Sequence, residues 1–396
     1  MLARDSSSIA ELHVDETLFN TCMLGRLGDV ERLIAAGGNV NFSAPEPEGA
    51  PGHGPIHMAV QEGHHRVVEA LVRHGASVNQ LGHGGATPLT LSAGTDNIKV
   101  TAALLKLGAP VDCVTTDGKS ALLIAAHLGH ISAVSLLLQH GAEVNLQCSE
   151  GYTPLRVAAR SGHIAIVRLL LQARADPLLR SARELAINEA VDGNHPEVVA
   201  LLLENGSHVE SPDFFGMSLL GKAAARGMTA VVRVLLAAGA DPARPGPLHM
   251  RPLDAAIQAC NQEILTMLLE HGAREHVNAP QRLSNSSGVP PLRIAIGNGD
   301  SEIVRILLEA GANPHRGDGV SPLDFALTFG FPDIVKLLLD AGVDPIGKNV
   351  EGNSPLDLAN RIEGDSKAEI LSLLEARIAE YEREREEKQD APAPHL

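Results

Sequence analysis

Aromatic residues are almost missing from this chain. They make up 2% of its 396 residues, with no Trp, two Tyr and seven Phe. A large globular core ordinarily depends on aromatic bulk, because each ring buries a large apolar area. Here Ala, Leu, Val and Gly must do the packing, which suits thin layers whose backbones approach closely. The composition therefore argues against the two or three ordinary globular domains that the length alone would suggest.

Long apolar runs and paired cysteines are also missing. No stretch approaches 18 uninterrupted apolar residues, and the N-terminal residues lack the apolar run of a signal peptide, so neither a membrane-spanning helix nor a leader is expected. The four cysteines, Cys22, Cys113, Cys148 and Cys260, are far apart and include no CxxC pair. This usage predicts small buried thiols in a reducing compartment. We therefore expect a soluble cytoplasmic or nuclear protein.

Positive charge is in short supply. The chain has 32 Lys and Arg against 48 Asp and Glu, which gives a net charge of −16 with His neutral. Such a field opposes phosphate backbones, so direct binding of nucleic acid is not expected. Two readings stay open: the acidic surface favours partner proteins with basic segments, or it serves only solubility.

The sequence has an internal repeat of nearly constant length. An apolar residue that follows a Thr-Pro-like pair recurs at Ile56, Leu89, Leu122, Leu155, Ile187, Leu219, Leu253, Leu292, Leu323 and Leu356. Most steps between these anchors are 31 to 34 residues long, and one is 39. Residues 24–41 keep only the second half of the pattern. A fixed period of this length indicates stacked structural repeats, here about eleven.

The repeated motifs carry a resemblance to a known family. They include "TPLRVAARSGHIAIVRLLL" (153–171), "SALLIAAHLGHISAVSLLLQHGAEVN" (120–145) and "SPLDFALTFGFPDIVKLLLDAGVDP" (321–345). The chain resembles an ankyrin-repeat protein over roughly residues 15–375. The resemblance implies an all-α ankyrin-repeat solenoid of about eleven units, each a helix pair followed by a hairpin. It also implies a scaffold that binds partner proteins along a concave groove.

One unit shows the local chemistry of this pattern. Thr153 is predicted to cap a helix whose first residue is Pro154, and Gly162 to end it in a left-handed conformation. A glycine then turns most hairpins, but one unit has Arg174 there, which predicts a strained cap. Residues 181–209 have lost Thr-Pro-Leu altogether and are predicted to be a weak joint or a local change of curvature.

The rest of the domain organisation follows from departures from the period. Residues 1–14 are expected to be a flexible segment, and residues 376–396 a charged helix end with a disordered tail. Residues 42–54 and 275–291 are rich in Pro, Ser, Asn and Gly, so they are predicted to be inserted loops. The last helix interleaves apolar residues with charges, as expected of a terminal cap with one face in water.

Catalytic and metal-binding motifs are not evident. There is no HExxH, no GxSxG, no phosphate loop and no zinc-like spacing. Most of the eighteen His residues recur at repeat positions, such as His64, His130, His163 and His195 after a turn glycine, where we expect them to bond a neighbouring turn. The sequence thus predicts no enzyme, no cofactor and no metal.

The resemblance places candidate partner-binding residues by register, at the hairpin tips and at the end of each first helix. They are His127, Leu128, Tyr152, Arg160, Ser161, Phe214, Phe215, Met217, Arg226 and Phe329. Four of the nine Phe and Tyr residues are in this set, and interfaces favour aromatic and Arg anchors. For Phe214 and Phe215 a second reading stays open, that they fill a gap left by the degenerate unit.

Three alternatives accompany the scaffold reading. The chain could be a substrate-receptor adaptor of a ubiquitin ligase complex, although no accompanying module is evident after residue 376. It could be a structural subunit of a larger assembly. Ankyrin arrays also resemble known targets of asparaginyl hydroxylases, and Asn41, Asn79 and Asn145 match the hairpin position that those enzymes modify.

Overall fold

The computed structural model describes residues 6–44, 52–180, 184–247, 250–281, 288–315 and 320–390. These residues form 22 α-helices, two 3-10 turns and isolated β-bridges, with no β-strand among them. The chain divides into two compact units, Met1–His208 and Val209–Leu396. The division falls at the end of the repeat that has lost its Thr-Pro-Leu motif.

Unit 1 contains six helix pairs among its described residues. They are α1 (Ser6–Met23), α2 (Leu27–Ala35), α3 (Pro55–Gln61), α4 (His65–Arg73), α5 (Pro88–Thr95), α6 (Ile98–Lys106), α7 (Ala121–Leu128), α8 (Ile131–Gln139), α9 (Pro154–Arg160), α10 (Ile164–Gln172), α11 (Ala186–Asp192) and α12 (Pro196–Glu204). From α3 to α12, odd-numbered helices pack on odd-numbered neighbours and even-numbered on even-numbered ones, so the repeats form two layers.

Unit 2 has five pairs in its described part. They are α13 (Leu219–Ala225), α14 (Thr229–Ala237), α15 (Pro252–Gln258), α16 (Gln262–Glu270), α17 (Pro291–Asn298), α18 (Ser301–Glu309), α19 (Pro322–Phe329), α20 (Pro332–Asp340), α21 (Pro355–Asn360) and α22 (Ser366–Asp390). The same two layers recur here. Alanines such as Ala223, Ala224 and Ala326 are fully buried in the first layer, where small side chains let helices approach closely.

The predicted helix boundaries are confirmed where the motif is intact. The Thr153 hydroxyl accepts the Arg156 N–H, Pro154 is the first helical residue, and Gly162 has φ 75°. The Gly-His histidines bond the neighbouring repeat as predicted, and their acceptors are backbone carbonyls. His163 Nε2 bonds the carbonyl of His127 at 3.1 Å, and His195 Nε2 bonds that of Arg160 at 3.0 Å. Each such histidine ties one repeat to the end of the preceding first-layer helix.

The N-terminal end of the chain differs from expectation, whereas the C-terminal helix has the buried face expected of a cap. Helix α1 begins at Ser6, inside the segment 1–14 expected to be flexible, and supplies the first half of the repeat that the period detects only from residue 24. Helix α22 continues to Asp390, and its Ile370 and Leu374 are fully buried as the capping prediction requires. Residues 1–5 and 391–396, parts of the segments predicted to be flexible or disordered, lie outside the described residues.

The two predicted insertions are described only at their bases. The first closes where the Ala44 N–H donates to the carbonyl of His53 at 3.1 Å, and residues 45–51 lie outside the description. The second closes at a bridge between Gln281 and Val289, with residues 282–287 outside it. Arg251 holds the segment that leads into the second insertion, because the Arg251 guanidinium donates to the carbonyls of His276 and Ala279 at 3.1 and 2.7 Å.

The prediction of buried thiols holds for two of the four cysteines. Cys22 and Cys148 are buried, Cys113 is half-buried and Cys260 is exposed, and all four are free. Burial raises the pKa of the Cys22 thiol to about 12. Cys260 has φ 51° at a position where most repeats have glycine, so the sequence reading of a buried thiol is wrong there.

Arg174 occupies the hairpin position that is glycine in nearly every other repeat, and its φ is 65°. Because a Cβ makes the left-handed region costly, we expect Arg174→Gly to raise the free energy of unfolding by about 0.5–1 kcal/mol, after allowing for the flexibility of glycine in the unfolded chain. Urea denaturation followed by circular dichroism would measure this. Arg174→Ala is the matched control, since it removes the side chain but keeps the Cβ. A gain equal to that of the glycine variant would show that strain is not the cause.

His57 is fully buried, and its neutral form holds the start of α3. Its Nδ1 accepts the Gly54 N–H at 3.0 Å, and its Nε2 bonds the carbonyl of Gln80 at 3.0 Å. Burial lowers the pKa of His57 from 6.5 to about 4. A depressed pKa means that its contribution to stability is present above pH 6.5 and is lost as the pH falls toward 4.

We therefore expect unfolding to become easier between pH 6.5 and pH 4, and His57→Thr to show a shallower loss over that range. Threonine is the matched replacement, because Thr90 accepts the Thr87 N–H in the same way one repeat later. Denaturation midpoints across this pH range are the measurement, and each protein is compared with itself at pH 7. Identical slopes for the two proteins would count against His57 as the titrating group.

Candidate functional site

A groove of about 560 Å³ lies on the first layer of unit 1, between α7, α9 and the hairpins that precede them. It is lined by Lys119, Leu123, Ile124, His127, Leu128, Cys148, Glu150, Tyr152, Val157 and Arg160. Four residues that the sequence selected by register, His127, Leu128, Tyr152 and Arg160, therefore share one groove. Ser161, also selected, is half-buried at the C-terminus of α9 and is not among its lining residues.

The groove has an apolar part and two polar ends. Leu123, Ile124 and Leu128 come from α7, and Val157 comes from α9. The side chain of Leu128 is 47% exposed, although leucine is ordinarily buried. Lys119 and Glu150 lie on the hairpin side, whereas Arg160 is the last residue of α9. Leu128 is the exposed member of this apolar strip, Ile124 is half-buried, and Leu123 and Val157 are buried beneath them. A partly exposed apolar strip between charged ends suits a segment of another protein.

A buried ion pair supports the wall of this groove. Arg156 Nη2 lies 2.5 Å from Glu189 Oε1, and these side chains are only 3% and 7% exposed. The Arg156 guanidinium also lies over the Tyr152 ring, 4.6 Å from its centroid. Arg156 thus holds Tyr152 from below while its own charge is neutralised by α11. Neither member of the pair was predicted from the sequence, although opposite charges 33 residues apart, one repeat, are a usable signal.

Arg160 is held much more loosely than Arg156. Its Nη1 donates to the Tyr152 hydroxyl at 3.4 Å and lies 3.7 Å from Glu189 Oε2, and the side chain is 60% exposed. Because Glu189 already binds Arg156 at close range, the two guanidiniums share one carboxylate. Arg160 is therefore the exposed and loosely held positive group at the α9 end of the groove.

At the hairpin end of the groove, the positive charge of Lys119 is paired with a carboxylate. Lys119 Nζ lies 2.7 Å from Asp117 Oδ2, and this hydrogen bond lowers the pKa of Asp117 and raises the pKa of Lys119. The Cys148 N–H donates to the carbonyl of Tyr152 at 3.0 Å, which closes the turn that presents the Tyr152 ring. The Ser149 N–H donates to the carbonyl of Asp117 at 3.0 Å, so consecutive hairpins are tied together.

Unit 2 displays a separate aromatic tip. Phe214 and Phe215 are 48% and 76% exposed and meet edge to face, with centroids 5.1 Å apart. Their exposure disfavours the reading in which they fill a gap. Asp213 fixes the tip, because its Oδ1 accepts the N–H groups of Phe215 and Met217, while its Oδ2 lies 3.1 Å from Lys222 Nζ. Met217 is half-buried, and Arg226 is exposed at the end of α13.

Phe329, the remaining aromatic candidate, belongs to a cluster in unit 2. Its ring lies 4.9 Å from that of Phe325 and is stacked 5.8 Å from that of Phe331. The Arg293 guanidinium lies 4.5 Å above the Phe325 ring. Of this cluster only Phe329 was predicted, and Phe331 occupies the register position of the Gly-His histidines.

The three asparagines predicted as hydroxylation sites bond neighbouring hairpins. Asn41 Oδ1 accepts the Ser77 N–H at 2.8 Å, and Asn145 Oδ1 accepts the Asp176 N–H at 2.9 Å. Asn79 differs, because the matching residue of the next repeat is Pro110, which has no N–H; its Oδ1 accepts the Cys113 thiol at 3.1 Å instead. Hydroxylation of these residues stays a prediction.

Two further features bear on chemistry and location. Across the described ranges, no group of three or more His, Cys, Asp or Glu side chains is arranged to hold a metal ion. In the same ranges, every helix is too short or too polar to cross a bilayer.

Comparison with known proteins identifies the family. The sequence model described as "Ankyrin repeats (3 copies)" matches residues 18–113, 102–181, 187–279 and 275–349. These matches cover most of the chain, which therefore belongs to the ankyrin-repeat family and has its all-α repeat fold. Ankyrin repeats are generally protein–protein interaction modules, and the fold is typically non-catalytic.

A human protein shows a local likeness. The chain is similar to the "2-5A-dependent ribonuclease" of Homo sapiens, with 45% identity over 64 residues. This segment is 16% of the present chain and only 8% of the ribonuclease. The similarity is thus confined to a repeat segment, and it transfers no activity.

The ion pair behind Tyr152 makes a strong prediction. Glu189→Leu removes the carboxylate that lies 2.5 Å from the buried Arg156 guanidinium, so we expect the free energy of unfolding to fall by about 3–5 kcal/mol. The double variant Arg156→Leu/Glu189→Leu should recover most of this loss, because it leaves no buried charge. Urea denaturation of the two variants beside the wild type is the measurement. If the double variant is no more stable than the single one, the unpaired charge is not what destabilises it.

Proposed function

We propose that this chain is a non-enzymatic scaffold of the cytoplasm or nucleus that binds a partner protein through the groove between α7 and α9. The observation that carries the proposal is the convergence of His127, Leu128, Tyr152 and Arg160 on one groove with an apolar strip. Tyr and Arg are the residue types that most often dominate binding energy at interfaces. The buried Arg156–Glu189 pair supports it further, because it fixes the Tyr152 ring before any partner arrives.

The exposed tip formed by Phe214 and Phe215 is proposed as a second contact surface, with Met217 and Arg226 beside it and Phe329 farther along unit 2. It is favoured by the exposure of Phe215 and by the two backbone bonds that Asp213 accepts. Two separately presented surfaces suit a scaffold that engages more than one segment of its partners. An adaptor role in a ubiquitin ligase complex would use the same surfaces but has no observation of its own.

The test is an affinity purification from native lysate with a charge placed in the groove. Leu128→Lys is expected to lose a stoichiometric partner that the wild type retains, because an ammonium group would sit in the apolar strip. Ile131→Lys is the matched control, since Ile131 begins the second-layer helix α8 and is 48% exposed against 47% for Leu128. Circular dichroism verifies that both variants stay folded. A partner lost equally from both variants, or from neither, would contradict the groove assignment.

A further inference from the structure

The groove between α7 and α9 has an uneven charge distribution. On the hairpin side, Lys119 is matched by Asp117 at 2.7 Å, and Glu150 adds an exposed carboxylate. At the other side, Glu189 is committed to Arg156 at 2.5 Å, while Arg160 lies 3.7 Å from the second oxygen of the same carboxylate. A ligand carboxylate would therefore be attracted most strongly at the end of the groove formed by Arg160.

Arg160 is also prepared to accept a carboxylate at small cost. Its backbone is fixed, because His195 bonds its carbonyl at 3.0 Å and it ends α9. Its guanidinium, in contrast, has two long contacts and is 60% exposed, so rearranging it breaks no strong bond. Guanidinium–carboxylate pairs are often bidentate, and they are stronger than hydrogen bonds between neutral groups.

The apolar strip lies immediately next to this charge. Leu128 and His127 end α7 beside Arg160, and Leu123 and Ile124 lie one turn earlier in the same helix. The volume of about 560 Å³ is in the range that holds a compact ligand or a few residues of a peptide. A ligand that satisfies both features needs an apolar side chain and a carboxylate close to each other.

We propose that the groove binds an extended segment of a partner protein in which an apolar side chain lies on Leu123, Ile124 and Leu128 and a nearby Asp or Glu pairs with Arg160. This inference rests on the proposed function and specifies its ligand. It differs from what the net charge of −16 favours, a basic partner, because it is set by the charges within the groove itself.

Selection from a random peptide library tests the proposal through a charge swap. A phage-displayed library of about nine-residue peptides, long enough to span a groove of this volume, is selected on the full chain and depleted on Leu128→Lys. The wild type should enrich Asp or Glu close to Leu, Ile, Met or Phe. Arg160→Glu should enrich Lys or Arg in place of the acidic residue, and Arg160→Gln should lose the charge preference without reversing it.

Synthetic versions of the selected peptides give the magnitude. Replacing the acidic residue by its amide should weaken binding to the wild type about tenfold, as measured by fluorescence anisotropy, and should leave binding to Arg160→Gln nearly unchanged. An acidic preference that persists unchanged in Arg160→Glu, or an equal loss with Arg160→Gln, overturns the proposal. The neutral variant keeps the test decisive if Arg160→Glu fails to fold.

The outcome also separates this inference from the function on which it rests. If no selected peptide distinguishes the wild type from Leu128→Lys, the groove is not a peptide site and both proposals fall. If peptides require the groove but carry no acidic residue, the scaffold function stands and only the carboxylate requirement is wrong.

Discussion

Every feature of this protein depends on one constraint: a single helix pair has too little apolar surface of its own, so each repeat must be covered by its neighbours. The first-layer helices meet this need with fully buried small residues such as Ala125, Ala158 and Ala190. Close approach of backbones leaves no room for rings, which accounts for the 2% aromatic content. Aromatic residues are consequently concentrated where the frame does not need them, at hairpin tips and helix ends.

Two of the buried ion pairs belong with those aromatic residues. Arg156 and Glu189 lie beneath Tyr152, and Lys222 and Asp213 lie beneath the tip of Phe214 and Phe215. A buried ion pair is often no more stabilising than apolar residues of similar volume, so stability alone does not account for either pair. Both pairs instead fix the backbone or the ring of an exposed aromatic residue. Rigid presentation lowers the entropy lost on binding, which connects these interior charges to the proposed function.

The frame could be predicted from sequence because its causes are local. Each of its signals acts within a few residues, as do the cap at Thr153, the proline at 154 and the glycine at 162. Their recurrence at a fixed period shows that they are not coincidental. The groove could be predicted only in part, because register locates His127, Leu128, Tyr152 and Arg160 but cannot show which charges neutralise each other. Arg156 and Glu189 meet through stacking across one whole repeat.

Other misses have the same origin. Helix α1 lacks the repeat motif, so only its packing against α3 reveals it as the first half of a repeat. Asn79 has the same local sequence context as Asn41 and Asn145, yet it bonds a thiol, because the next hairpin offers Pro110 where the others offer an N–H. For Asn79 the deciding residue lies one repeat away. A sequence comparison between adjacent repeats, rather than along one repeat, would have found it.

The acidic net charge of the chain and the positive charge of Arg160 act at different distances. In physiological salt, exposed charges farther apart than about 8 Å are largely screened, so most of the net charge contributes little to the final contact. The contact itself is decided by groups within hydrogen-bonding range. There, Arg160 lies 3.7 Å from one oxygen of Glu189, whose other oxygen binds Arg156. A partner can therefore be attracted through basic surroundings and still be recognised through an acidic residue. Net charge and local charge are two separate determinants of binding, and only the second is specific to this groove.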